Sequence, residues 1–155
     1  MLTKVNSRTL RAAAGEFVIV ASQYNARYVD AMVRSATATL KAAKAKNVRI
    51  VRVPGAYEVP IVAAKLARTT RPLAIICLGV ILRGQTTHAA HIGDTVSRAL
   101  MEIQLEYEVP VIHEVLLLEN EQQAKVRCLG KDHNRGTEAA QTALAMARVM
   151  ADLLK

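Results

Sequence analysis

Leu73-Ala74-Ile75-Ile76-Cys77-Leu78-Gly79-Val80 is a nearly unbroken apolar run near the middle of the chain. It is too short to span a bilayer, which takes about 20 apolar residues. It is also too continuous for a strand with one wet face, which would alternate apolar with polar. The run therefore reads as a strand buried on both sides, the centre of a parallel sheet covered by helices above and below.

The flanking chain supplies what such a sheet needs. Phe17-Val18-Ile19-Val20-Ala21 reads as a second buried strand, and Val29, Met32, Val33, Ala36, Leu40 and Ala43 then fall on one helical face. Val48–Val53 alternates with period two, as a strand less covered on one side would, and Pro54-Gly55 ends it. A helix is expected from about Glu58, with Pro60 in its first turn, where a missing N–H does no harm. After the central run, a loop over Leu82–Thr87 leads into a helix reaching about Tyr107. Val109–Ile112 and Val115–Leu118 make the fourth strand, followed by a short polar helix over about Glu119–Arg127. A loop over Gly130–Gly136 precedes a final Ala-rich helix to Leu154. Alternating strands and helices with no internal linker or repeat predict one α/β domain over residues 1–155: a three-layer α/β/α sandwich on a mainly parallel four-stranded sheet, with right-handed crossovers.

Composition narrows the function classes. Aromatics make up 3% of the 155 residues, with one Phe and no Trp, so Ala, Val, Leu and Ile fill the core. So few rings argue against a base-stacking nucleic-acid surface. The formal net charge is +8, but the cations are dispersed along the chain. They read as a solvated surface that also favours phosphorylated metabolites, and no nucleic-acid partner is expected. Cys77 and Cys128 sit in or beside apolar runs without a CxxC pattern and read as reduced, packed thiols. No secretory leader and no membrane span are visible, so a cytoplasmic chain with no membrane partner is expected.

In open parallel sheets, ligands bind beyond the carboxyl ends of the strands. That rule selects the loops at Ser22–Asn25, Pro54–Glu58 and Ile81–His88, and a strand end placed near His113. In Arg83-Gly84-Gln85-Thr86-Thr87-His88, Gly84 permits a sharp turn, and Thr86 or Thr87 is a candidate helix cap. Free N–H groups at the helix start suit a phosphate. His88 in the first turn is either an ordinary surface histidine or a proton carrier near neutral pH. His88 and His91 have helical spacing for a shared metal, but no third ligand stands nearby, and no metal is expected. Glu58 is either a carboxylate placed by the helix dipole or a contact for a polar ligand. Tyr24 either stacks on a planar ring or packs as a loop tyrosine. Arg127, Lys131 and Arg135 are either cations near helix ends or a clamp on a phosphate.

Taken together these segments resemble the lumazine synthase family. The likeness runs from about Phe17 to Leu154 and is carried by VPGAYEVP (Val53–Pro60), LGVILRGQTTH (Leu78–His88) and RxxxKxxNRG (Arg127–Gly136). The resemblance implies a flavodoxin-like fold and the condensation of 5-amino-6-(D-ribitylamino)uracil with 3,4-dihydroxy-2-butanone 4-phosphate, without metal or organic cofactor. It implies that Tyr24 stacks on the pyrimidine, that Ala56, Tyr57 and Glu58 hold the ribityl chain, and that Val80, Ile81 and Leu82 border the uracil. It implies that Gln85, Thr86 and Arg127 hold the phosphate, with Lys131 and Arg135 in support. His88 is implied as the proton carrier, and His113 as the residue closing over the aminouracil. The chain departs from the family pattern at His113, where Phe is common, at Glu114, where a small Gly is common, and at Cys128-Leu129-Gly130.

The resemblance also implies a homo-oligomer built from pentamers, with sites between neighbours. Tyr24 and Glu58 would come from one chain, His113 and Arg127 from the next, and residues 1–15 would form an arm packing on a neighbouring subunit. The Lys131–Gly136 loop lacks a shell-blocking insertion, which favours a 60-subunit shell over a free pentamer or decamer. Riboflavin synthase is a candidate partner. Two rivals are a riboflavin synthase of the archaeal type and a binding or shell protein with impaired catalysis.

Overall fold

The protein is described here by a computed structural model covering residues 10–155. Four strands, β1 (Glu16–Ser22), β2 (Asn47–Val53), β3 (Ala74–Leu82) and β4 (Val111–Leu118), form one sheet in the order β2-β1-β3-β4. Every neighbouring pair is parallel. The central run is thus a central strand, its nine residues flanked by β1 on one side and β4 on the other.

Five helices, α1 (Ala26–Ala42), α2 (Val59–Thr69), α3 (His88–Tyr107), α4 (Glu121–Ala124) and α5 (Arg135–Asp152), cover the two faces. Alternation along the strands divides the core. Phe17, Ile19, Ile76, Leu78 and Ile112 pack with Met32, Leu40, Ala140 and Leu144 of α1 and α5. Val18, Val20, Ile75, Cys77 and Val115 pack with Ala63, Leu66, Val96 and Leu100 of α2 and α3. The result is the expected three-layer sandwich of flavodoxin-like architecture. Both faces of β1 and β3 are buried, as the continuous apolar runs demand. Edge strand β2 alternates and keeps Ile50 exposed, and Arg49 and Arg52 on it pair with Glu16 and Asp30.

Several boundaries differ from the sequence reading. The fourth strand starts at Val111, after Pro110, and not at Val109; His113 and Glu114 project to opposite faces within it. A single 3-10 turn, Ala56–Glu58, precedes α2. The short polar helix starts at Glu121, capped by the Asn120 side chain, and widens into a π-type turn over Lys125–Leu129. Of the expected arm, residues 1–9 lie outside the described residues. Leu10 and Ala12 rest against their own core, and the Ala12 N–H donates to the Ala43 carbonyl at 2.7 Å.

Helices α1 and α5 approach each other closely at Gly136. Gly136 presses against the backbone of α1, where a Cβ would run into the Met32 carbonyl and lie 2.7 Å from Met32 Cα. Only backbone movement could relieve that clash. Gly136→Ala is expected to destabilise the protein by about 3 kcal/mol or more, a fall of roughly 10 °C in melting temperature. Gly84→Ala, at a position open to solvent, is expected to leave the melting temperature unchanged. Thermal denaturation of both variants checks this, and equal behaviour would refute the packing argument.

Candidate functional site

The sheet's topology makes a crevice. From β1 the chain moves out to β2, then crosses back over β1 to β3 and on to β4. Connections therefore leave the carboxyl ends of β1 and β3 in opposite directions, and the gap between them is the natural ligand position.

Three loops meet there. Asn25 ends the β1 loop in a left-handed conformation, φ 57°, which Asn tolerates better than most residues. Its Nδ2 donates to the Val80 carbonyl at 2.7 Å, tying that loop to the end of β3. The N–H groups of Gln23 and Tyr24 donate to the Pro54 carbonyl, tying it to the end of β2 as well. Gly55 is hemmed in: a Cβ there would lie 2.9 Å from Tyr24 Cδ2 and 3.0 Å from Glu58 Oε2. The Tyr24 ring and the Glu58 carboxylate thus converge on one glycine. Glu58 Oε2 accepts the Gly55 N–H at 2.9 Å, which fixes the carboxylate at the start of α2. Tyr24 is 68% exposed and Tyr57 61% exposed, so both rings face solvent and are not core tyrosines.

Beyond β3, residues 83–88 are all exposed. Thr87 stands at the cap position of α3 with φ −75° and ψ −3°, already helical, and its side chain does not cap. Thr87 was one of two candidate caps; its helical backbone cannot aim the hydroxyl back at the first-turn N–H groups. Those N–H groups, with the dipole of a 20-residue helix behind them, are left for solvent or an anion. Gly84 does not adopt positive φ. Its lack of a side chain leaves the loop open to approach and does not serve a left-handed turn. His88 is the first residue of α3 and is exposed. Arg83 is tied away, its N–H to the Leu118 carbonyl and its guanidinium to Glu119 at 2.7 Å.

Tyr24, the Ala56–Glu58 turn, the Val80–Leu82 strand end and the Gln85–His88 loop are therefore brought to one rim. His113 is not at a strand end. It is the third residue of β4, five before the carboxyl end, on the face packed by α3. The strand end expected near His113 lies further on, because polar side chains can emerge from an edge strand without ending its pairing. Arg127 is in the π-type turn packed on α1 and α5, the opposite layer from α3 and His88. Among the described residues it makes no ion pair closer than 4 Å.

Glu114 shares that layer. Burial pushes its carboxyl up to about 7; Arg135 and Arg127 pull it down, and Glu138 adds to the rise. Arg135 itself pairs with Glu138 at 2.9 Å. Lys131 lines a depression of about 380 Å³ beside Arg34 of α1 and Thr137 of α5. Cys77 and Cys128 are free and buried, and burial raises their thiols to about 12 and about 11.

Asn25, Gly55 and Ser97, which bonds His113, were not singled out from sequence. An Asn directly after an aromatic at a strand's carboxyl end was the one available hint for Asn25. An exposed Ser in a helix gives none. Asn134 of the NRG motif is structural: it caps α5 through the N–H groups of Gly136 and Thr137 and donates to the Cys128 carbonyl at 2.7 Å. Among the described residues no three His, Cys, Asp or Glu side chains are grouped as a metal requires, and no helix is long and apolar enough to cross a membrane.

Glu114 sets a pH dependence. The folded carboxyl holds its proton up to about pH 7, while an unfolded one loses it near the usual value of 4.5. Between those values the native state binds more protons, so this residue's contribution to stability falls as pH rises. Glu114→Gln is expected to melt above the wild type at pH 8 and to match it below pH 4.5. An unchanged difference across that range would contradict the assignment.

Comparison with known proteins is consistent along the whole domain. The sequence profile of the family described as 6,7-dimethyl-8-ribityllumazine synthase matches residues 15–151. A protein of that name from Xylella fastidiosa (strain 9a5c) is 42% identical over 146 residues, covering 93% of this chain and 95% of its own. One from Stenotrophomonas maltophilia (strain R551-3) is 39% identical, covering 90% and 92%. One from Xanthomonas campestris pv. campestris (strain B100) is 39% identical, covering 91% and 93%.

Proposed function

Because the chain belongs to the 6,7-dimethyl-8-ribityllumazine synthase family, we propose that it condenses 5-amino-6-(D-ribitylamino)uracil with 3,4-dihydroxy-2-butanone 4-phosphate to form 6,7-dimethyl-8-ribityllumazine, a transferase step of riboflavin biosynthesis. The observation that carries this reading is the meeting of the Tyr24, Gly55–Glu58 and Gln85–His88 loops at the β1/β3 crevice.

The chemistry asks for what that rim offers. The aryl amine attacks the ketone, and loss of water gives an imine. Phosphate then leaves by elimination, the resulting enol becomes a ketone, and the ribityl-bearing amine closes the ring with loss of a second water. Every step moves a proton, and an imidazole is the side chain suited to give and take one near neutral pH. His88 fills this role. Tyr24 supplies a ring face for the pyrimidine. Ala56, Tyr57 and the fixed carboxylate of Glu58 take the ribityl hydroxyls, and backbone groups of Val80, Ile81 and Leu82 border the uracil. Elimination develops charge on the phosphate, which the N–H groups of Gln85 and Thr86 and the α3 dipole stabilise. Holding both reactants in register supplies much of the remaining rate.

The guanidinium that completes the phosphate site is Arg127 of an adjoining protomer, with Lys131 and Arg135 in support and His113 closing over the aminouracil. The placement of His88 and Arg127 on opposite layers of one sheet supports a shared site. The assembly is built from pentamers, with a 60-subunit shell favoured. The chain works in the cytoplasm without metal or organic cofactor, and riboflavin synthase is a candidate partner.

His88→Ala is expected to lower kcat about 100-fold or more without abolishing turnover, since positioning survives. Arg127→Ala is expected to raise KM for the butanone phosphate at least about 10-fold, the loss expected for a charge-assisted contact, with near-normal binding of the aminouracil. Steady-state assays following lumazine absorbance check both. Turnover of lumazine to riboflavin without the butanone phosphate, or equal loss of both substrates in Arg127→Ala, would overturn the reading.

A further inference from the structure

His113 and Ser97 form a hydrogen-bonded pair that the rim does not use. His113 projects from β4 toward α3, where its Nε2 lies 2.7 Å from Ser97 Oγ. Its other nitrogen, Nδ1, accepts the Val115 backbone N–H at 3.1 Å. A backbone N–H can only donate, so Nδ1 must present a bare lone pair. The ring proton of the neutral form then sits on Nε2 and donates to Ser97 Oγ, leaving the Ser97 hydroxyl hydrogen free to point outward. A second proton on Nδ1 would set N–H against N–H. Burial also lowers the ring's affinity for a proton.

Among the described residues burial alone shifts the ring's protonation, with no contribution from a neighbouring charge. Cys77 is its register neighbour on β3, and Gln104 of α3 is occupied by the Val111 N–H. The charged residues flanking Ser97, Asp94 and Arg98, line a depression with Glu102 that includes neither Ser97 nor His113. As a residue His113 nevertheless remains exposed. A fixed, neutral, exposed aromatic ring is suited to lie over a flat uncharged heterocycle, because covering it removes no cation from water.

We propose that Ser97 is a positioning residue that holds His113 as a neutral, Nε2-protonated ring, so that the ring covers the aminouracil bound by an adjoining protomer. This rests on the function proposed above. It makes the histidine at this position a neutral polar counterpart of a plain aromatic cover, with its tautomer set by β4 and its orientation by α3.

The test uses the assembled full-length protein. Solid-state NMR of histidine-¹⁵N-labelled protein, with His113→Phe identifying the signal, is expected to show Nε2 protonated and Nδ1 bare at pH 7. Aminouracil binding, titrated without the phosphate substrate, is expected to weaken about fivefold in Ser97→Ala, a factor in the range of one neutral hydrogen bond. Ser97→Thr, which keeps the hydroxyl, is expected to restore binding to within about twofold of the wild type. In a double-mutant cycle, Ser97→Ala is expected to have no effect once residue 113 is Phe. A protonated Nδ1 at pH 7, unchanged binding in Ser97→Ala, or an equal loss in the His113→Phe background overturns the proposal. Failure of the wild type to bind the aminouracil overturns the function on which it rests, and the proposal with it.

Discussion

The pairing of β1 with β3 is the contact on which the rest of the molecule depends. Phe17–Ala21 lie in register with Ala74–Leu78, and both strands are buried on both faces. Neither can be solvated on either side, so helices must cover both. Parallel pairing forces those helices to be crossovers, and right-handed crossovers leave β1 and β3 in opposite directions. The crevice that gathers Tyr24, Glu58 and the start of α3 is a consequence of that geometry, not an addition to it. So is the separation of His88 and Arg127 into different layers.

The two faces of β4 show how one alternation distributes chemistry. His113 turns toward α3 and is kept neutral by hydrogen bonds. Glu114 turns toward α5, where burial and the guanidinium groups of Arg135 and Arg127 contend over its proton. Ionised, the carboxylate offsets part of the positive charge of these guanidinium groups; protonated, it leaves that charge intact. Glu114, adjacent to His113 in sequence, thus lies on the opposite side of the sheet.

Much of this was legible in the sequence, and the reasons are local. Continuous apolar runs identified β1 and β3, alternation identified β2 as less covered, and Pro60 marked the start of α2. The loops at Tyr24, Ala56–Glu58 and Gln85–His88 followed once the sheet was known to be parallel, since ligand position depends on strand direction. What remained hidden depends on contacts distant in sequence. Asn25 reaches Val80 across 55 positions, and Ser97 meets His113 only because α3 lies over β4. His113 was placed at a strand end, but the strand continues to Leu118, and where a strand stops depends on its pairing with β3. Which layer holds Arg127 required the crossovers themselves.

In the proposed phosphate site, the α3 loop of one protomer meets the guanidinium of residue 127 from another. The structure of the assembled protein with inorganic phosphate, by crystallography or electron cryomicroscopy, tests it most directly. The expected result is a phosphate held by backbone N–H groups of Gln85 and Thr86, with Arg127 of an adjoining protomer on its other side and His88 within reach. Arg127 remote from every copy of that loop, across all contacts between protomers, would contradict it.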